Sequence, residues 1–106
     1  MTDIHAHAQR YFTLAADPDQ AAYVAQFADD AVVEDENRTH HGRAAIAVWR
    51  ADVPAVTYSL REVGPADGGY RARAEIAGDF PGSPVTLTFA VGLDDAGAIS
   101  SLTIRP

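Results

Sequence analysis

The 106-residue sequence has no cysteine and no lysine, and all eight basic residues are arginine. The missing cysteine removes disulfides, thiol nucleophiles and thiolate metal sites together, and fits any redox compartment. The missing lysine removes the amine of a Schiff base and the charge of a Walker-type phosphate loop. Long apolar runs are lacking too, each far short of the roughly 18 residues that span a bilayer. The start Met1-Thr2-Asp3-Ile4-His5 has neither the basic nor the apolar region of a secretory signal, so a cytoplasmic location is expected. A net charge of −7 would repel phosphate backbones and anionic lipid, and no basic cluster offsets it locally. This argues against nucleic-acid and membrane partners.

What is present suffices for one domain over residues 1–106, whose folding buries about 60 to 65% of the unfolded surface. Ile4, Ala8, Tyr11, Phe12 and Ala15 recur at helical spacing from Asp3 to Ala16, with Thr2 or Asp3 as the N-cap. Asp17-Pro18 reads as the start of a second helix, with Ala21, Val24, Phe27 and Ala28 on one face and an end near Asp29. Ala31 to Glu36 is rich in β-branched residues. Alternation sets Ala31, Val33 and Asp35 on one side, so Asp35 faces the core if Val33 does. Asn37 to Gly42 reads as a polar turn. A third helix follows from Arg43 to Arg50, anchored by Ile46 and Trp49 and stopped by Asp52-Val53-Pro54.

The second half alternates apolar and polar residues in four segments. Val56, Tyr58 and Leu60 begin the series, followed by Tyr70 to Ile76, Val85 to Leu93 and Ile99 to Ile104. Short turns such as Asp94-Asp95-Ala96-Gly97 imply antiparallel neighbours. The expected fold class is α+β, three N-terminal helices packed on a curved antiparallel sheet.

The run Gln9-Arg10-Tyr11-Phe12, the stretch Phe27 to Asp35 and Gly42-Arg43-Ala44-Ala45-Ile46 resemble the nuclear transport factor 2-like (NTF2-like) superfamily, in its SnoaL-like, ketosteroid isomerase-like branch. The resemblance covers nearly the whole chain and implies a cone-shaped roll. In the isomerases, the tyrosine of the first helix donates to an oxyanion and the aspartate closing the valine-glutamate-aspartate run is the general base. Tyr11 and Asp35 match those positions without a gap. The chemistry moves a double bond beside a ketone, so it needs a base for the proton and donors for the dienolate oxygen. It uses no cofactor and no metal. The resemblance further implies a small hydrophobic, carbonyl-bearing ligand and a homodimer through the outer face of the sheet.

Two departures stand out. Phe89 occupies the position where the isomerases carry a protonated acid, and losing one oxyanion donor costs about 3 kcal/mol, roughly 100-fold in rate. The chain also stops at Pro106, where the isomerases continue with a segment that helps cover the site.

The candidate catalytic residues are therefore Asp35 and Tyr11, with Phe12, Val33, Trp49, Tyr58, Phe80, Phe89 and His40 as candidate walls of a binding pocket. Each has a plainer reading. Asp35 caps the polar turn that follows it, and the aromatic residues are core packing. His40 and His41, near Glu34, Asp35 and Glu36, invite a metal reading, but adjacent histidines in a polar loop are usually solvated and no ligand spacing is recognisable. Pairing of Asp35 with His40 for hydrolysis or dehydration requires the histidine loop to fold over the pocket. Arg61, Arg71, Arg73 and Glu75 lie on a polar sheet face, either solvated or covered by a second subunit. Two function classes stay open: a steroid delta-isomerase-like or polyketide cyclase-like enzyme, and a non-catalytic ligand-binding or assembly module.

Overall fold

A computed structural model describes residues 3–106. Helix α1 (Ile4–Ala16) is capped by Asp3, whose carboxylate accepts from the backbone N–H groups of His5 and Ala6 at 3.0 and 3.2 Å. Thr2, the other expected cap, lies outside the described residues. The helix buries Ala8, Tyr11, Phe12 and Ala15, the face its spacing implied.

The second helix is shorter than its periodicity suggests. Helix α2 (Ala21–Ala25) opens after Gln20, while Asp17 ends α1, and Phe27, Ala28 and Asp29 belong to strand β1 (Phe27–Asp35). Tertiary pairing overrides the local pattern: Phe27 pairs with Ile99 in the last strand, and Ile99 N donates to the Gln26 carbonyl at 3.0 Å. The expected polar turn is also a strand, β2 (Arg38–His41), joined to β1 by Glu36-Asn37. Both turn residues have positive φ, 51° and 63°, as the two-residue turn of a twisted hairpin requires. Gly42, at φ 85°, then turns the chain into α3 (Arg43–Ala51). Arg43 ties the start of α3 to β1, donating to the Phe27 carbonyl at 2.8 Å and pairing with Asp29 at 2.7 Å.

Strands β3 (Thr57–Ala66), β4 (Gly69–Ala77), β5 (Val85–Leu93) and β6 (Ile99–Arg105) follow the expected alternation, with a shift near Arg61 in β3. The six strands lie in the order β2-β1-β6-β5-β4-β3. The sheet is not wholly antiparallel, as expected from the short turns, because β1 and β6 run parallel. Helix α1 packs on β3 and β4, and α3 on β1 and β2. Phe27, Ile46, Tyr70, Ile99 and Leu102 fill the core, and burying a side chain of this size contributes roughly 1.5–3 kcal/mol. No helix among the described residues is long and apolar enough to cross a membrane.

Candidate functional site

Strand register decides which side chains meet. Arg38, Asp35, Ile104, Phe89, Ala72 and Val63 form one row across the sheet, strand by strand. Asp35 therefore stands two strands from Phe89, about 10 Å away at ordinary strand spacing. Beside this row, Val85, Ile76 and Tyr58 form a second one. Arg38, Asp35, Ile104 and Phe89 of the first row and all of the second floor a half-open cavity of about 990 Å³, lined on its other side by Tyr11 of α1 and by Trp49 and Arg50 of α3. Phe80, from the β4–β5 connection, stands at its side.

The cavity thus brings together Asp35, Tyr11, Trp49, Tyr58, Phe80, Phe89 and His40. Phe12 and Val33 are not in its wall. Phe12 is buried behind it, its ring 4.9 Å from Phe89 and 5.7 Å from Tyr58, and Val33 is fully buried in the core. His40 reaches the cavity from a strand, as the partner of Val33, and no loop has to close over the site. Among the described residues, no three His, Asp or Glu side chains converge as a metal would require.

Asp35 is half-buried, and its Oδ2 accepts a hydrogen bond from Trp49 Nε1 at 3.1 Å. The indole fixes the carboxylate. His40 stacks on the same indole with centroids 5.7 Å apart. Tyr11, only 2% exposed, has its hydroxyl 2.7 Å from that of Tyr23. If Tyr23 donates in this pair, the Tyr11 proton is free for a ligand. Burial pushes the pKa of Tyr11 well above the usual tyrosine range, and the neighbouring Tyr23 adds to the rise. Burial likewise raises Tyr23, against the pull of Arg50. Phe89 packs against Tyr11 with centroids 6.0 Å apart and offers no donor.

Sequence reasoning missed two residues here. Tyr23 lay off the face assigned to the over-long second helix, yet it is fully buried. Arg50 was the polar end of α3, yet it is 8% exposed, with its guanidinium 4.1 Å above the Tyr23 ring and 5.4 Å from that of Trp49. The available signal was spacing, since Arg50 follows Ile46 by four residues and shares its face.

An α+β roll whose helices close one face of a mixed sheet over a mostly apolar cavity with a few polar groups is the architecture of a small-molecule pocket. No protein-family model and no curated protein matches the sequence. Among solved structures, the "putative polyketide cyclase" of Sinorhizobium meliloti is 35% identical, over 99% of this chain and 95% of that one, with a TM-score of 0.86. The chain belongs to that family, the SnoaL-like, ketosteroid isomerase-like branch of the NTF2-like superfamily. Two further structures share the fold. A hypothetical protein of Catenulispora acidiphila with a ketosteroid isomerase-like fold, in complex with trimethylamine, is 17% identical, with coverages of 93% and 83% and a TM-score of 0.80. SalBIII, an epoxide hydrolase/cyclase-like enzyme with a role in pyran ring formation in the polyether salinomycin, is 20% identical, with coverages of 95% and 88% and a TM-score of 0.79.

Proposed function

We propose that the cavity binds a small, hydrophobic, carbonyl-bearing molecule and that the protein moves a proton on it without a cofactor, as a steroid delta-isomerase-like or polyketide cyclase-like enzyme. Asp35 takes the proton beside the carbonyl, the C–H electron pair moves into the enolate, and Tyr11 donates to the enolate oxygen. Return of the proton to another carbon completes an isomerisation with no net change in atoms or electrons.

The observation that carries this reading is the Asp35 carboxylate, fixed by Trp49 in the wall of the cavity that Tyr11 also lines. The cavity volume suits a ligand of moderate size. The test is ultraviolet detection of enone formation from a β,γ-unsaturated ketosteroid. Asp35→Asn should lower the rate by about 10²- to 10⁴-fold with an unchanged melting temperature, and Tyr11→Phe should lower it less. Absence of turnover in the unaltered protein would remove the steroid as substrate.

A second reading, a non-catalytic binding or assembly module, is favoured by Phe89 at the acid position and by the engagement of Tyr11 with Tyr23. Either form of the proposal includes a two-fold dimer through the outer sheet face. That face carries Arg71, Arg73 and Thr88 around a shallow depression and a half-exposed Arg61–Glu75 pair at 3.4 Å. Light scattering should give twice the chain mass, and Arg73→Glu should halve it; a monomer at all concentrations would end the idea.

A further inference from the structure

Arg50 is a buried cation without an anion. Among the described residues, the three ion pairs are Arg43–Asp29, Arg61–Glu75 and Arg105–Glu34, and none involves Arg50. Burying a guanidinium costs several kcal/mol unless a partner offsets it. Part of the offset is visible in the two aromatic rings beneath it and in two hydrogen bonds, from Nε to Gln20 Oε1 at 2.9 Å and from Nη2 to the Ala15 carbonyl at 3.0 Å.

Those two bonds use one edge of the planar fork. The opposite edge, made by Nη1 and the second hydrogen of Nη2, makes no further close hydrogen bond among the described residues, with the Tyr58 hydroxyl as its neighbour in the cavity wall. It is not sealed in the core either: among the described residues, the one buried side-chain nitrogen or oxygen without a partner is Gln26 Nε2. Arg50 lines the cavity beside Tyr58, so the guanidinium borders the space a ligand would fill. A guanidinium edge of this kind matches the two oxygens of a carboxylate.

Trp49 sets the spacing of this cation from the base. Its Nε1 binds Asp35 while the Arg50 guanidinium lies over its ring, so one indole separates carboxylate and guanidinium along one wall. With His40 stacked on this indole and Arg50 over it, a ligand in the cavity beside the ring lies near a negative group and a positive group at once.

We infer that the ligand is a hydrophobic carboxylic acid whose carboxylate docks on the free edge of Arg50, leaving its carbon skeleton on the apolar floor and toward Asp35. This rests on the reading above only in taking the cavity as the ligand site. Binding is measured without turnover, so its outcome is separable from that of the isomerase test. Neutral carbonyl compounds would be weak ligands by comparison, because they leave the guanidinium without a counter-charge.

The experiment compares 4-phenylbutanoate with 4-phenylbutanamide by calorimetry and follows the Arg50 Nε–H resonance by NMR. The acid should bind at least about tenfold more tightly than the amide, should move the Arg50 resonance, and should raise the melting temperature more. Arg50→Gln should bring the acid down to the affinity of the amide, whereas Asp35→Asn should preserve or strengthen acid binding by removing a negative charge. Equal binding of acid and amide, binding of neither, or an acid preference that survives in Arg50→Gln overturns the inference. Should Arg50→Gln fail to fold, the acid–amide comparison and the Arg50 resonance in the unaltered protein decide it.

Discussion

The two ends of the cavity are built differently. At one end Asp35 sits on a hairpin at the sheet edge, half-exposed and held by one side-chain hydrogen bond from Trp49. At the other, Arg50, Tyr23 and Tyr11 are packed between helices and joined by ring stacking and hydrogen bonds. The hairpin end is held by strand pairing and one side-chain bond, whereas helix junctions of this kind are set by close packing. The acidic end is thus the more accessible of the two, and the basic end the more tightly packed.

The largest expected break in this contrast comes in alkaline solution. Tyr11, Tyr23 and Tyr70 are all held above the usual tyrosine range, chiefly by burial. The unfolded chain loses these protons near pH 10 while the folded one keeps them, so stability is complete below that pH and falls as pH rises through the window above it. In a Tyr58→Phe background, where only these three tyrosines remain, tyrosinate absorbance should therefore appear together with loss of the circular dichroism signal, and Tyr11→Phe should weaken the pH dependence. Tyrosinate forming well before unfolding in that background, and lost on Tyr11→Phe, would show that the helix-side end is open to water.

A smaller effect should follow at the other end. Trp49→Phe keeps most of the ring but deletes the donor to Asp35. It should cost about 1–2 kcal/mol in denaturant unfolding, the lower part of the range for a bond to a charged group because Asp35 is half-exposed. A loss as large as that from Arg50→Gln would erase the distinction between the ends. The smallest effect sharpens it: Glu36→Asn, in the positive-φ turn of the hairpin, should stabilise by about 0.5–1 kcal/mol in the same measurement. No gain would mean that Glu36 is compensated by a contact of its own.

Sequence reasoning reached the four C-terminal strands because a period of two and short turns are local signals. It reached α1 for the same reason, through spacing and the Asp3 cap. The parallel pairing of β1 with β6 joins Phe27 to Ile99 across most of the chain, and no local pattern announces it. Without that pairing, Val24 and Phe27 read as neighbours on a helix. Strand β2, Arg-Thr-His-His, has no apolar alternation because it is a short, polar edge strand. At the site, Asp35 and Tyr11 stood out through the resemblance, and Trp49 and Phe89 through size. Arg50 was hidden because charge at a helix end ordinarily means solvent, and only the tertiary arrangement of α1, α2 and α3 reveals it as interior.

Trp49 is the only tryptophan in the chain, and its indole touches both ends of the cavity at once. Its emission is therefore an intrinsic optical gauge of the site. Any molecule that enters between carboxylate and guanidinium alters the polarity around a single fluorophore, so ligands of either proposed class can be ranked on the unlabelled protein by the direction of its spectral shift.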